Sequence, residues 1–123
     1  MALVLVALGG AIGATLRYLS VVAAARVFGA GFPWGVLSVN VAGSFVMGVV
    51  AAVLIERGGS ERLALFLMPG LLGGFTTFSA FSLDALRLWE TGRMGAASLY
   101  VGGSVVAAIA ALAAGLVLGR ALS

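Results

Sequence analysis

The stretch that decides the fold is residues 73–82, which read Gly-Gly-Phe-Thr-Thr-Phe-Ser-Ala-Phe-Ser. This stretch lies inside a hydrophobic segment that is long enough to cross a membrane, yet it carries two adjacent glycines, four hydroxyl side chains and three phenyl rings. Irregular, hydroxyl-rich backbone at membrane depth is tolerated only where protein buries it or where it lines a wet cavity. The stretch therefore marks the candidate functional site.

The composition around this stretch is that of an all-α integral membrane protein. Of 123 residues, 63% are hydrophobic and only 9% are charged, and the mean hydropathy is +1.23. A soluble domain of this size needs far more charge on its surface. Segments of roughly 20 apolar residues can span the bilayer, and short connectors favour an up-down bundle. We predict one transmembrane domain over residues 1–123 in a multi-pass protein of the cell membrane. Its helices cover residues of about 2–25, 33–55, 63–89 and 94–118.

The composition also argues against several functions. The chain has no cysteine and no histidine, which removes disulfides, thiolate metal sites and the usual proton shuttle. With only four carboxylates besides, we do not expect an enzyme. The net charge of +3 is scattered along the chain, so we do not expect a nucleic-acid partner either.

The third segment is predicted to be two half-helices. Pro69 removes a backbone hydrogen bond, and the Gly73-Gly74 pair followed by two threonines weakens a helix further. We place the break at residues 74–79. A break frees carbonyls on the first half-helix and amides on the second, and an interrupted hydrophobic segment is a strong indicator of a membrane binding site. The freed carbonyls suit a small cation such as Na⁺.

Polar residues on other segments leave alternatives open. Asn40 near mid-membrane either makes an interhelical hydrogen bond or donates to a ligand. Arg17 either extends to the interface or lines an aqueous vestibule that concentrates anions. Phe78 and Phe81, three residues apart, either pack in the core or face an ion path. Tyr100 and Ser104 add hydroxyls to a stripe of small residues on the fourth segment.

The arginines give almost no topological bias. Three lie at one end of the predicted bundle and three at the other, with Arg17 making four if it reaches that interface. Because positive charge sets orientation, both orientations should insert. This predicts an antiparallel, dual-topology homodimer. The two sets are Arg57, Arg62 and Arg120 at one end and Arg26, Arg87 and Arg93 at the other.

The chemistry of the polar set favours an anion. Hydroxyls and amides donate hydrogen bonds without a fixed counter-charge, and a phenyl edge is weakly positive. A cation pore usually has rings of carbonyls or carboxylates. Near mid-membrane the sequence places no carboxylate, apart from Asp84 toward one end.

These residues resemble the Fluc (CrcB-type) fluoride ion channels. The resemblance rests on residues 73–82, on Asn-Val-Ala-Gly-Ser at 40–44 and on Gly-Ala-Ile-Gly-Ala-Thr-Leu-Arg-Tyr at 10–18. It implies fluoride-selective conduction, passive fluoride export and fluoride resistance in an antiparallel dimer with two pores and a central Na⁺. By this likeness the backbone carbonyls of Gly73 and Thr76 hold Na⁺, and Arg17 lines the vestibule. The implied pore residues are Phe78, Phe81, Asn40, Thr77, Ser79, Tyr100 and Ser104.

Two positions depart from the family pattern, since Ala80 stands where Thr is common and Asp84 where Glu is common. The alternative function is a small dual-topology multidrug exporter. That mechanism needs a membrane-embedded carboxylate in the first helix, where this chain has none.

A third alternative is a packing subunit without transport. It would explain the small-residue stripes but not the hydroxyl-rich break.

Overall fold

The computed structural model describes residues 1–122, and all regular structure in that part of the chain is helical. Four helices are long and apolar enough to cross a membrane, which confirms the predicted all-helical fold with four spans. The predicted ends differ from the observed ones by at most four residues, the largest difference being at the end of the fourth span. The spans are Ala2–Phe28, Trp34–Glu56, Glu61–Glu90 and Met94–Leu122.

The first two spans form an antiparallel pair. Helix α1 (Ala2–Phe28) ends at Gly29, whose φ of 82° is a conformation that glycine adopts without strain. Helix α2 (Trp34–Val50) follows and continues as a π-helical segment, Ala51–Glu56. A short loop between them forces the chain to reverse direction.

The third span changes its hydrogen-bonding pattern four times along its length. Helix α3 (Glu61–Leu65) passes into a π-helical segment, Phe66–Leu72, that contains Pro69. A last α-helical turn, α4 (Gly73–Phe75), then ends at an extended residue. We call residues 61–75 the first half-span. Helix α5 (Phe78–Glu90) completes the crossing, and α6 (Met94–Leu122) forms the fourth span.

The predicted break is confirmed as a bend of the third span, two residues long. Thr76 has φ −86° and ψ 155°, and Thr77 has φ −148° and ψ 122°, so both are extended. Thr77 also caps α5, because its hydroxyl oxygen accepts a hydrogen bond from the Ala80 amide at 3.2 Å. The sequence explains the stop, since β-branched threonines after two glycines favour extended backbone over helix.

Glycines let the helices approach closely. A Cβ on Gly13 of α1 would lie 2.0 Å from the Leu71 carbonyl oxygen, and one on Gly115 of α6 would lie 2.1 Å from the Phe45 carbonyl oxygen. Small residues at such crossings are typical of helix packing in lipid. They set α1 against the first half-span and α6 against α2, and so fix the frame around the break.

Each end of the bundle is stabilised by its own polar contact between neighbouring segments. At one end Arg120 makes two hydrogen bonds of 2.8 Å to the Glu56 carboxylate. At the other end Arg93 donates to the Gly31 carbonyl, which links the two loops there. Phe81 and Tyr100 belong to a small buried cluster between these ends, whereas most large apolar side chains of α1 and α6 are exposed.

Candidate functional site

The backbone of the break is held by Asn40 of α2. The Thr77 amide donates to Asn40 Oδ1 at 2.8 Å, and Asn40 Nδ2 donates to the Thr77 carbonyl at 3.1 Å. One side-chain amide therefore satisfies both polar groups of an extended residue, as a neighbouring strand would. Of the two roles left open for Asn40, the interhelical hydrogen bond is present, and its partner is the backbone of the break.

Because Thr76 and Thr77 are extended, the carbonyls of Gly73 and Thr76 are among those that lose their helical donors. In an unbroken α-helix each amide donates to the carbonyl four residues earlier. The Thr77 amide would serve Gly73 but donates to Asn40, and the Ala80 amide would serve Thr76 but donates to the Thr77 hydroxyl. Gly73 and Thr76 are the two residues whose carbonyls the family resemblance assigns to Na⁺. Backbone oxygens of this kind suit a hard cation.

The carbonyl of Gly74, between them, has a different partner. Arg17 Nε of α1 donates to it at 3.1 Å, across 57 residues of sequence. The guanidinium lies at the C-terminal end of the first half-span, where a positive charge complements the helix dipole. Within residues 1–122 its two Nη groups have no hydrogen-bond partner. Arg17 is thus anchored on the break by one nitrogen and keeps its outer donors available.

A groove of about 240 Å³ runs along the break. It contains five of the predicted pore residues, and no charged side chain lines it in the described part of the chain. The groove is open along one side. The lining residues are Asn40, Ser44, Thr76, Thr77, Phe78, Phe81, Ser104, Val105 and Ala108.

The two phenyl rings of the groove differ in burial. Phe78 is 78% exposed and Phe81 is 8% exposed, and their ring centroids lie 5.6 Å apart with the planes tilted by 42°. Phe81 is fixed from behind by Tyr100, whose centroid lies 5.1 Å away. One ring is therefore rigid, while the other extends from the protein surface beside the open side of the groove.

Ser104 contributes a hydroxyl without a partner. The residue is 5% exposed, and among the described residues its Oγ has no hydrogen-bond partner. An unsatisfied buried hydroxyl costs about 1–3 kcal/mol. Ser104 lines the groove although its Oγ is not accessible to solvent, so a ligand or water would relieve that cost only after a small movement of the groove wall.

Two predicted pore residues lie outside the groove lining. Ser79 is exposed, with its Oγ 3.4 Å from the Thr77 hydroxyl oxygen. Tyr100 is buried behind Phe81, and its hydroxyl donates to Asp84 Oδ2 at 3.4 Å. Conversely, the apolar lining residues Val105 and Ala108 carry no chemical signal by which the sequence could have identified them.

Comparison with known proteins places this architecture in a family. Residues 4–116 match the family described as CrcB-like protein, Camphor Resistance (CrcB). A protein of Chelativorans sp. (strain BNC1), named fluoride-specific ion channel FluC, is 55% identical over 121 residues, covering 98% of this chain and 97% of the relative. Proteins with the same name from Cereibacter sphaeroides (strain ATCC 17029) and Paracoccus denitrificans are 58% and 56% identical, covering 90% and 95% of this chain and 88% and 93% of those relatives. The chain belongs to the CrcB-like family.

Proposed function

We propose that the protein is a fluoride-selective ion channel that gives passive fluoride export and fluoride resistance. The observation that carries the proposal is the groove along the helix break. It offers hydroxyl and amide groups and two phenyl rings, and none of its lining residues in the described range 1–122 is charged. Relatives at 50–58% identity that are named fluoride-specific ion channels support the same function.

Such a groove suits a small, strongly hydrated anion. Fluoride must exchange its water shell for hydrogen-bond donors, and the Ser104 hydroxyl, without a partner in the described chain, is one. The positive edges of Phe78 and Phe81 stabilise the anion without a fixed counter-charge that would trap it. The same edges do not attract a cation.

Export needs no energy source beyond the ion gradient. Neutral HF enters a cell from acidic surroundings and dissociates inside, so fluoride accumulates in the cytoplasm. A selective channel lets the anion leave down its gradient, and a negative-inside potential of 100 mV adds about 2.3 kcal/mol per charge.

We propose that the working unit is an antiparallel, dual-topology homodimer. The groove is open along one side, and Phe78 beside it is 78% exposed, so a second copy would complete the ion path. The near balance of arginines at the two ends supports insertion in both orientations. The exposed apolar side chains of the bundle leave room for such a contact.

We further propose that Na⁺ binds the carbonyls of Gly73 and Thr76. Both carbonyls have lost their helical donors, because the corresponding amides donate to side chains. Two carbonyl oxygens are too few for a buried Na⁺. Two breaks meeting on a two-fold axis would supply four, so the dimer and the cation site depend on each other.

Fluoride efflux from liposomes containing the purified protein tests the channel function, with chloride as the matched control ion. We expect rapid fluoride efflux that sets up a membrane potential, and chloride flux at background. Absent fluoride flux, or equal flux of both ions, would discard the proposal.

The dimer is tested separately by the orientation of the terminus. Since the chain has no cysteine, a single cysteine in a C-terminal tag gives an unambiguous label. We expect labelling from both sides of the membrane in comparable amounts. One fixed orientation in cells would contradict dual topology while leaving the flux result standing.

A further inference from the structure

A second polar cavity, which we call the loop pocket, lies where the loop after α1 meets the loop after α5. Its volume is about 260 Å³. Unlike the groove, it is lined by charged side chains. The residues of the loop pocket are Ala30, Gly31, Pro33, Asp84, Arg87, Leu88, Thr91 and Arg93.

The charge in the loop pocket is positive and partly fixed. Arg93 donates through Nη1 to the Gly31 carbonyl, which holds its guanidinium across the two loops. Within residues 1–122 neither Arg87 nor Arg93 forms an ion pair with a carboxylate; the ion pair recorded there is between Arg120 and Glu56. Two guanidinium groups and one carboxylate, that of Asp84, leave the pocket with a formal charge of +1.

The hydrogen bonds indicate which groups can bind a ligand. The Thr91 hydroxyl donates to the carbonyls of Arg87 and Leu88, at 2.9 and 3.2 Å, so its proton is committed. Asp84 accepts from the Tyr100 hydroxyl. The remaining donors are guanidinium N–H groups, which suit an anion.

The loop pocket adjoins the groove through one layer of side chains. Asp84 lines the pocket and accepts from Tyr100, whose ring packs on Phe81, and Phe81 lines the groove. These contacts connect the loop pocket, at one end of the bundle, with the groove.

We propose that the loop pocket is an anion-binding site that collects the permeant anion at the mouth of the channel. This inference rests on the proposed function. Clefts lined by one sign of charge raise the local concentration of the opposite ion, and the effect weakens with ionic strength. The ligand is a small inorganic anion, and its role is capture, whereas selection takes place in the groove.

The test compares the double variant Arg87→Gln/Arg93→Gln with a double variant at the other end, Arg57→Gln/Arg62→Gln. In an antiparallel dimer every membrane face carries both ends, so the two variants remove equal charge from each face. Fluoride conductance is measured against fluoride concentration in neutral phosphatidylcholine bilayers, first at low ionic strength and then with an inert salt at about 1 M, where the Debye length is about 3 Å.

We expect the Arg87/Arg93 variant to need about threefold to tenfold more fluoride for half-maximal conductance at low ionic strength, with the maximum unchanged. The added salt should abolish the difference, and the Arg57/Arg62 variant should match the wild type. Equal shifts in both variants, or none in either, would overturn the capture site while wild-type fluoride flux still upheld the channel.

A lipid phosphate is the other source of an anion for these guanidinium groups. The measurement is therefore repeated with phosphatidylglycerol added. A difference between the variants that appears only with the anionic lipid would assign the pocket to a headgroup and overturn the capture role. A difference already present in the neutral bilayer supports capture.

Discussion

Replacing Asn40 with aspartate tests whether the groove carries an anion. Aspartate has nearly the same shape and keeps an oxygen for the Thr77 amide, which lies 2.8 Å from Oδ1 in the wild type. It loses the donor to the Thr77 carbonyl and places a carboxylate on the groove wall. The change thus keeps the main support of the break and reverses the electrostatics of the path.

The expected effect is large because the charge lies beside the ion. Two unit negative charges about 5 Å apart repel by about 3 kcal/mol at an effective dielectric constant of about 20. That energy corresponds to a loss of more than about a hundredfold in anion occupancy. Fluoride efflux from liposomes should fall accordingly. The thermal stability of the purified protein should fall as well, because a carboxylate oxygen would replace the Asn40 Nδ2 donor that lies 3.1 Å from the Thr77 carbonyl oxygen.

Asn40→Ala provides the matched control. It removes both hydrogen bonds and leaves the Thr77 amide and carbonyl without partners, at about 1–3 kcal/mol each. We expect this variant to lose thermal stability as well as flux. Wild-type fluoride flux in Asn40→Asp, or a gain in sodium or potassium flux, would refute the assignment of the groove to an anion.

Three further predictions separate packing from conduction. Phe78→Ile and Phe81→Ile should each abolish most fluoride flux without changing the oligomeric state. Only Phe81→Ile, at a side chain that is 8% exposed, should lower the free energy of unfolding, by about 1–2 kcal/mol. Full flux in both variants would return the rings to a packing role. Ser104→Ala removes a buried hydroxyl that has no partner in the described chain. The free energy of unfolding should therefore stay the same or rise by about 1 kcal/mol, while fluoride flux falls. A less stable variant with full fluoride flux would contradict this. Gly13→Ala should cost about 1–3 kcal/mol or prevent folding, since its Cβ would meet a carbonyl oxygen at 2.0 Å, whereas Gly10→Ala, with 3.8 Å of clearance, should be neutral in the same denaturation assay.

The amino-acid sequence alone was sufficient to predict the four spans and the position of the break in the third. Both depend on local chemistry: long apolar runs define the spans, and the two β-branched threonines that follow the weakly helical Gly73-Gly74 pair end the helix. The polar character of the groove followed as well, because hydroxyls at membrane depth need an interior to face. Five predicted residues do line one groove, among them Asn40 and Ser104.

The partners within the site could not be predicted in the same way. The bond from Arg17 to the Gly74 carbonyl depends on how closely α1 approaches the first half-span, and that distance is set by glycine contacts across the fold. The burial of Tyr100 behind Phe81 likewise depends on the angle between α5 and α6. No local pattern encodes either one.

The hydrogen bonds of the break also constrain the order in which the protein is made. The third span cannot satisfy the backbone of the break alone, since Asn40, the partner of Thr77, and Arg17, the partner of the Gly74 carbonyl, belong to the first two spans. Synthesis runs from the N-terminus, so both side chains are already in the bilayer when the third span leaves the ribosome. Insertion and assembly of the ion path are therefore coupled, because the polar stretch enters the membrane beside the side chains of Arg17 and Asn40, which satisfy its backbone hydrogen bonds.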